Sequence, residues 1–272
     1  MMARIPIAHL NGGETTEGAV DEAIRHAISK MSHLHFTAME KYRRRVIQMG
    51  EDPQRVFNVG EVGLDNMRRL PLFGREAFQK AIGFKLNKRN LLITFHPVTL
   101  ERGADRRQFQ AILDAVSTLP DTHLIFTKPN ADMGCQVISR MIDDYVRRHS
   151  DKAVQFSSLG QQRYLSALQF VDAVVGNSSS GLVEVPSFKK GTINIGNRQK
   201  GRVQGKNVIN CPPEKDAILK ALRKLYSKEF QARLRSVTNP YGDGRSSGRV
   251  KAILKRVNLT NILKKRFFDI KG

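Results

Sequence analysis

The residues that could do chemistry concentrate first in Val174-Val175-Gly176-Asn177-Ser178-Ser179-Ser180-Gly181-Leu182-Val183-Glu184. An apolar run from Ala173 to Val175 has the composition of a buried parallel strand. Apolar residues resume at Leu182, Val183, Val185 and Phe188, a pattern that suits a short helix. A strand, a loop of small polar residues and a helix N-terminus together make a receptor for phosphate. The first helical turn offers unpaired N–H groups and a partial positive charge. Gly176 and Gly181 let backbone approach a ligand, and Ser178 and Ser179 add hydroxyl donors. Glu184 lies one turn on, where a carboxylate could accept the two hydroxyls of a ribose. The next strand, 192–195, runs into Gly196-Asn197-Arg198-Gln199-Lys200-Gly201-Arg202. Three cations and two glycines beyond a strand suit an anionic ligand in an open α/β sheet. The first loop alone could equally be a plain helix cap; the second, basic loop favours the ligand.

Other strand ends carry related residues. His96, before Pro97, could contact phosphate or carry a proton, or simply cap its loop. Asn130, beside Pro129, could hold a base or a phosphate, and standing alone is a turn residue. His96, Asn130, Ser178, Ser179, Glu184 and Arg198 all follow strands of one expected sheet, so a single nucleotide could touch them all. A second constellation is Glu14, Asp21, Arg25 and His26. Asp21 and Arg25 are four apart on a helix and could merely pair. The functional alternative is acid–base work by Glu14 and Asp21 at a sugar carbon. His33 and His35 alternate along a strand and are read as structural. Nothing gives the compact ligand set of a zinc site.

These residues need elements to position them. Strands are expected at 5–10, 34–38, 56–59, 91–95, 123–127, 153–156, 173–175, 192–195 and 207–210. Helices are expected at 17–31, 40–49, 73–82, 105–117, 135–148, 161–170, 215–226 and 246–256. Such alternation implies parallel sheets covered on both faces. The basic polar stretch 85–90 is read as a linker between domains over 1–84 and 85–240, with a final helix and basic tail over 241–272.

Composition narrows the partners. The chain has 272 residues, 46 Lys+Arg against 25 Asp+Glu, and a formal charge of +21. That excess raises nucleic acid as a partner. The charge is dispersed, aromatics are few, and no zinc-finger, RNA-recognition or basic-zipper pattern is present, so specific nucleic-acid binding is not expected. Cys135 and Cys211 stand apart, which suggests a reducing compartment and no metal cluster. No run is long and apolar enough to cross a bilayer, and no secretory signal is visible. A cytoplasmic protein is expected.

Several motifs together carry a resemblance. They are His9-Leu10-Asn11-Gly12-Gly13-Glu14, Asp21-Glu22-Ala23-Ile24-Arg25-His26, Phe95-His96-Pro97-Val98, Gly176 to Gly181, Gly196 to Arg202 and Tyr241-Gly242-Asp243-Gly244. From Ile5 to near its end the chain resembles the hydrolysing UDP-N-acetylglucosamine 2-epimerases. The resemblance implies an α/β fold of two Rossmann-like domains of glycosyltransferase-B type, facing each other, with the C-terminal one holding the nucleotide and 241–272 packing back on the N-terminal one. It implies conversion of UDP-N-acetylglucosamine and water to N-acetylmannosamine and UDP, in sialic acid synthesis. A sister group acts on UDP-N,N'-diacetylbacillosamine. Also implied are a homo-oligomer and no metal or redox cofactor. By motif, His96, Ser178 and Ser179 look like phosphate contacts and Glu184 like the ribose clamp. Asn130, Gly181 and Arg198 resemble further nucleotide contacts. Glu14, Asp21 and His96 match catalytic positions, with Arg25 and His26 as sugar-site support.

Two departures matter. Family members carry further strands ahead of the one that here begins at Ile5, with a nucleotide-contacting loop and a catalytic aspartate. Asn11 also stands where a histidine or an acid is expected. The expectation is a truncated chain whose N-terminal domain is incomplete and exposes apolar strand edges. Such a chain should bind UDP with weak or no turnover. A UDP-sugar-binding module without catalysis, a polyanion binder with steep salt dependence, and a glycosyltransferase of the same fold remain as alternatives.

Overall fold

The computed structural model describes residues 3–16, 21–97, 104–129 and 135–270. In chain order they form β1 (Ala8–Leu10), α1 (Asp21–Met31), β2 (Leu34–Thr37), α2 (Glu40–Gln48), β3 (Val56–Asn58), α3 (Asn66–Arg69), α4 (Arg75–Ile82) and β4 (Arg89–Thr94). There follow α5 (Asp105–Ser117), β5 (Thr122–Thr127), α6 (Cys135–Arg148), β6 (Ala153–Phe156), α7 (Gly160–Phe170) and β7 (Ala173–Gly176). The last are α8 (Ser180–Val183), β8 (Gly191–Ile195), β9 (Val208–Cys211), α9 (Lys215–Leu225), α10 (Lys228–Arg235) and α11 (Ser246–Leu254). Two compact units result: residues 1–69 with 239–272, and residues 70–238. No helix among the described residues is long and apolar enough to cross a membrane.

The larger unit is built on a six-stranded sheet of order β6-β5-β4-β7-β8-β9, every pairing parallel. Counted within this unit the order is 3-2-1-4-5-6, that of doubly wound nucleotide-binding sheets. The order reverses between β4 and β7, which opens a crevice beyond their C-terminal ends. Strands β7 and β8 are buried throughout, as a sheet covered on both faces requires. One core joins Leu91, Ile93 and Phe95 of the β4 region to Phe109, Ile112 and Val116 of α5, Ile138 and Ile142 of α6, and Ile218 and Leu222 of α9. Their three- and four-residue spacing puts these side chains on one helical face. Each fully buried chain of this size contributes about 1.5–3 kcal/mol.

The division between units falls at 69/70, where the sequence placed it at 84/85. Residues 70–84 group with the larger unit because α4 packs on α7. Phe78 and Phe170 have ring centroids 5.6 Å apart. The Phe73 N–H donates to Ser166 Oγ at 3.0 Å, and Gln162 Nε2 donates to the Pro71 carbonyl at 2.7 Å. The stretch read as a linker is also built in: the Asn90 N–H donates to Asp172 Oδ2 at 2.9 Å, inside β4.

The smaller unit has a three-stranded parallel sheet, β1-β2-β3, with β2 buried at its centre. Leu10, on the edge strand β1, is 46% exposed. Leu34, Phe36 and Val59 pack with Ile262, Val250 and Ile253 from the chain's last segment. Asp65 caps that segment's helix. It accepts from the Ser246 and Ser247 N–H groups at 2.8 Å each, and from the Ser247 hydroxyl. Burial opposes ionisation of Asp65, but these bonds and Arg69 hold its carboxyl below the usual range.

A second tie is Glu51, 2% exposed. It accepts from Lys30 Nζ and Lys265 Nζ at 2.7 Å each, and from His35 Nε2 at 2.9 Å. Burial alone would raise its pKa; the bonds from His35, Lys265 and Lys30 outweigh it and bring the carboxyl from 4.5 to about 2. The folded value lies below the unfolded one, so the stabilisation is present above pH 4.5 and is lost as pH falls toward 2. Glu51→Gln is expected to lower unfolding free energy by about 3 kcal/mol at neutral pH. It should also flatten the loss of stability in that acid window. Chemical denaturation across a pH series measures both, and parallel profiles for the two proteins would contradict the assignment.

Candidate functional site

In the larger unit the crevice is organised by the backbone at the ends of β4 and β7. Gly176, φ +137°, closes β7; a Cβ there would sit 1.9 Å from the Thr94 carbonyl oxygen, so only glycine permits the approach. Asn177 follows, 1% exposed. Its Oδ1 accepts from the His96 N–H at 2.7 Å and its Nδ2 donates to the His96 carbonyl at 2.8 Å. Its own carbonyl accepts from Gln199 Nε2 at 2.8 Å and from Arg198 Nη1 at 3.2 Å. One side chain and its carbonyl thereby hold three loops, those after β4, β7 and β8, at a single point.

The serines lie next to this node. Ser179 occupies the N-cap position of α8, yet its hydroxyl makes no capping bond. The cap comes instead from Ser178, whose Oγ accepts from the Ser180 N–H at 3.4 Å, so the loop caps its helix and still leaves N–H groups that a ligand could use. The N–H groups of Ser178 and Ser179 have no hydrogen-bond partner among the described residues. The helix itself is a single turn that passes into a 3-10 turn at Val185–Phe188. So short a helix carries little dipole, and the positive field of the loop comes from Arg198 instead. Gly181 presses α8 onto β8: a Cβ would lie 2.5 Å from Thr192 Cγ2, and Thr192 Oγ1 donates to the Gly181 carbonyl at 2.7 Å. Glu184 is half-buried at the end of α8. Tyr164 donates to Ser180 Oγ at 2.6 Å. Burial, with the Glu184 charge nearby, pushes the Tyr164 hydroxyl's pKa up, so it stays a donor.

In the smaller unit, the loop after β1 forms the second cluster. Asn11 adopts a left-handed conformation, φ 62°, and its Nδ2 donates to Glu61 Oε1 at 3.0 Å. At Gly13, φ +78°, a Cβ would lie 2.3 Å from the Tyr42 carbonyl, and Arg45 bonds the Gly13 carbonyl. Glu14 is 3% exposed, and its carbonyl accepts from Arg25 Nη1 at 3.5 Å. Arg25 also donates to Thr16 Oγ1 at 3.2 Å. The centre of the cluster is Glu22. It accepts from the Thr16 N–H, pairs with His26 Nε2 at 3.2 Å and lies 3.9 Å from Arg25. His9 Nδ1 is 3.1 Å from Ser29 Oγ. Burial first, then His35, Arg25 and His26, lower the His9 pKa to about 4, so this imidazole is neutral at pH 7. Asn11 Oδ1, Thr15 Oγ1 and His26 Nδ1 are buried without a partner among the described residues. Such atoms call for an explanation, and a hydroxyl-rich ligand supplies one.

The expected residues therefore fall out unevenly. His96, Ser178, Ser179, Gly181 and Arg198 gather around Asn177, and Glu184 follows one turn later. Asn130 lies outside the described residues. Glu14, Arg25 and His26 form one cluster, but Asp21 is exposed at the start of α1. The Asp21–Arg25 pairing is replaced by Glu22, which bonds Arg25 and His26 at three- and four-residue spacing. Glu22, Asn177 and Gln199 were passed over in the sequence. The helical spacing of Glu22 to His26 was a usable signal; for the two buried amides there was none. No group of three metal-ligating side chains occurs among the described residues.

The chain matches the model of the UDP-N-acetylglucosamine 2-epimerase family over residues 1–255. It is 42% identical over 271 residues to the GDP/UDP-N,N'-diacetylbacillosamine 2-epimerase (hydrolyzing) of Campylobacter jejuni, covering 99% of this chain and 70% of that protein. It is 37% identical over 255 residues to the UDP-N,N'-diacetylbacillosamine 2-epimerase (hydrolyzing) of Legionella pneumophila, covering 94% and 66%. The chain thus spans about two thirds of the length of these curated relatives. Among solved structures, the UDP-GlcNAc 2-epimerase of Neisseria meningitidis bound to UDP-GlcNAc has a TM-score of 0.79 at 16% identity, over 94% of this chain and 71% of that one. At that identity it establishes the fold.

Asn177→Ala removes both side-chain bonds to the buried backbone of His96. It is expected to lower unfolding free energy by about 2–4 kcal/mol. Urea denaturation measures it; a change within experimental error would contradict the role given to this side chain.

Proposed function

Because the chain belongs to the UDP-N-acetylglucosamine 2-epimerase family, we propose that it eliminates UDP from a UDP-activated 2-acetamido sugar and releases the C2-inverted sugar after adding water. The substrate we favour is UDP-N,N'-diacetylbacillosamine, on the strength of the relatives at 42% and 37% identity. UDP-N-acetylglucosamine is the second candidate. The reading carries with it a cytoplasmic location and a homo-oligomer.

The chemistry divides between two kinds of work. A base takes the C2 proton, the C1–O bond breaks, and its electron pair leaves with UDP. An unsaturated sugar remains, to which water adds at C1 while a proton returns to C2. The departing diphosphate gains charge, and donors aimed at it lower the barrier. Arg198, the free N–H groups of Ser178 and Ser179, and His96 supply them, with Gly181 allowing backbone approach. Glu184 takes the ribose hydroxyls and Asn130 a further nucleotide contact. The proton work belongs to carboxylates. Glu22, held by the Thr16 N–H, Arg25 and His26, is the better-placed group, with buried Glu14 beside it on the same loop cluster. Asp21, exposed, gives up the part first assigned to it.

The observation that carries the proposal is the Asn177 node, which brings the β4 end, the serine loop and Arg198 to one point at the sheet's switch position. A second reading, UDP-sugar binding without turnover, is favoured by Asn11. Its amide is locked to Glu61 at a position where the family resemblance calls for a proton-carrying group.

Incubation with each UDP-sugar in D2O is the test. Turnover should release UDP and leave deuterium at C2 of the free sugar. Glu22→Gln should lower kcat by about 10²–10⁴ while UDP affinity, measured by calorimetry, stays unchanged. Arg198→Ala should weaken UDP binding by about tenfold or more. UDP binding with no product from either sugar would select the second reading; no affinity for UDP would overturn both.

A further inference from the structure

At the opposite end of the smaller unit's sheet, where its strands begin, a cavity of about 610 Å³ opens beneath the last segment of the chain. His33, just before β2, lines it, with Gln54 and Arg55 ahead of β3, and Lys264, Arg266 and Phe267. The Asn11–Thr16 loop leaves β1 at the other end of the strands, so the proton-transfer cluster does not use this cavity.

Its outer wall is fastened to the sheet. Lys265 Nζ donates to the Lys30 and Ser32 carbonyls at 2.7 Å each and pairs with buried Glu51. Arg55 Nη1 donates to the Ile262 carbonyl at 3.0 Å, and the Phe268 N–H donates to the Gly50 carbonyl at 3.0 Å. The Phe267 ring packs against Gly50, where a Cβ would come within 2.3 Å of it, and Lys30 Nζ stands 5.1 Å from the ring centroid.

The charges around the cavity do not balance. Two carboxylates line it, Glu51, paired with Lys30, Lys265 and His35, and Asp52, whose Oδ1 accepts from the Gln54 N–H at 2.9 Å and which keeps its charge; against them stand Arg55, Lys264, Lys265 and Arg266, so cations remain in excess. Among the described residues, neither Lys264 nor Arg266 has an ion pair or a side-chain hydrogen bond. Arg55 has used one N–H group on a carbonyl. His33 accepts the Ile7 N–H on Nδ1 at 3.1 Å, which leaves its Nε2 to donate. Neighbouring groups register the surplus. Burial, then Lys265 and Arg55, lower the His33 pKa. Burial, with Lys30 and Arg55 beside it, lowers that of Lys265 in spite of Glu51.

We propose that this cavity binds a small phosphate-bearing anion, with Arg55, Lys264, Arg266 and His33 Nε2 as donors and Phe267 as an apolar wall. Two guanidinium groups and an ammonium, those of Lys264 and Arg266 exposed at its mouth, line one cavity from two chain segments, and guanidinium forks suit phosphate oxygens. The anion would bridge the last segment to the loop before β3, and so stabilise the folded unit by mass action. The site is separate from the nucleotide crevice and stands whether or not the epimerase reading holds.

Inorganic phosphate, pyrophosphate and UDP are each titrated by calorimetry into the full chain and into Lys264→Ala/Arg266→Ala, which breaks none of the bonds that hold the wall. Amide hydrogen exchange over 259–268 is followed with each anion. The expected result is a binding event weakened by about tenfold or more in the double variant and retained in Arg198→Ala, with exchange slowed over 259–268 in the parent. Protection by phosphate or pyrophosphate identifies an inorganic anion as sufficient; protection by UDP alone identifies a nucleotide. Unchanged binding in the double variant, or equal weakening by Lys251→Ala/Lys255→Ala, two exposed lysines in and just after α11, would mean diffuse attraction to a chain of charge +21 and overturn the proposal.

Discussion

The larger unit depends on how closely β4 and β7 approach. Two parallel strands that share a sheet, and whose crossovers diverge, leave a gap at their C-terminal ends. Here the gap is narrowed until the Thr94 carbonyl occupies the space of a missing side chain at Gly176. That contact brings Asn177 within reach of both backbone groups of His96, and its carbonyl within reach of Arg198 and Gln199. The polar groups of three loops bond one another directly there. The Ser178 and Ser179 N–H groups of the serine loop are not used in this node. A catalyst of this kind needs donors already in place when charge develops on the leaving group, because reorganising them during the reaction would raise the barrier.

The smaller unit solves a different problem. A three-stranded sheet buries little by itself, and its core is completed from the chain's other end: Ile262, Val250 and Ile253 pack on Leu34 and Phe36. Polar ties fix the return. Asp65 caps α11 from far back in the sequence, and Glu51 holds Lys265. The loop after β1 gains its geometry from left-handed Asn11 and Gly13, with Arg45 on the Gly13 carbonyl. Glu22 is ordered through both of its oxygens, by the Thr16 N–H and Arg25 on one and His26 on the other, and so presents a fixed carboxylate.

Much of the fold was legible because its periodicity is strong. Helices α5 and α6 begin and end where their apolar spacing does, and β6 likewise. Helix α10 was missed: only Phe230 and Leu234 are buried in it, too short a stripe among Lys, Glu and Arg to show a period. The domain boundary was displaced because a basic, polar stretch resembles a linker, while the aromatic contact that ties α4 to α7 is long-range and leaves no local trace. The site divides in the same way. Glycines, serines and Arg198 announced themselves by type, since close approach and anion binding require those residues. Asn177 and Gln199 act through buried hydrogen bonds to backbone, which any amide in a loop could make. Glu22 went unconsidered because adjacent acids at a helix start are indistinguishable until the helix phase is known, and the phase turns Glu22 toward Thr16 and His26.

The central claim is that the loops meeting at Asn177 hold the diphosphate of a UDP-sugar. Amide hydrogen exchange of the chain with and without saturating UDP tests it most directly. The expected result is slowed exchange in the segments 95–97, 176–184 and 196–202, with β2 and β3 unaffected. Unchanged exchange in those three segments while UDP is bound would contradict it.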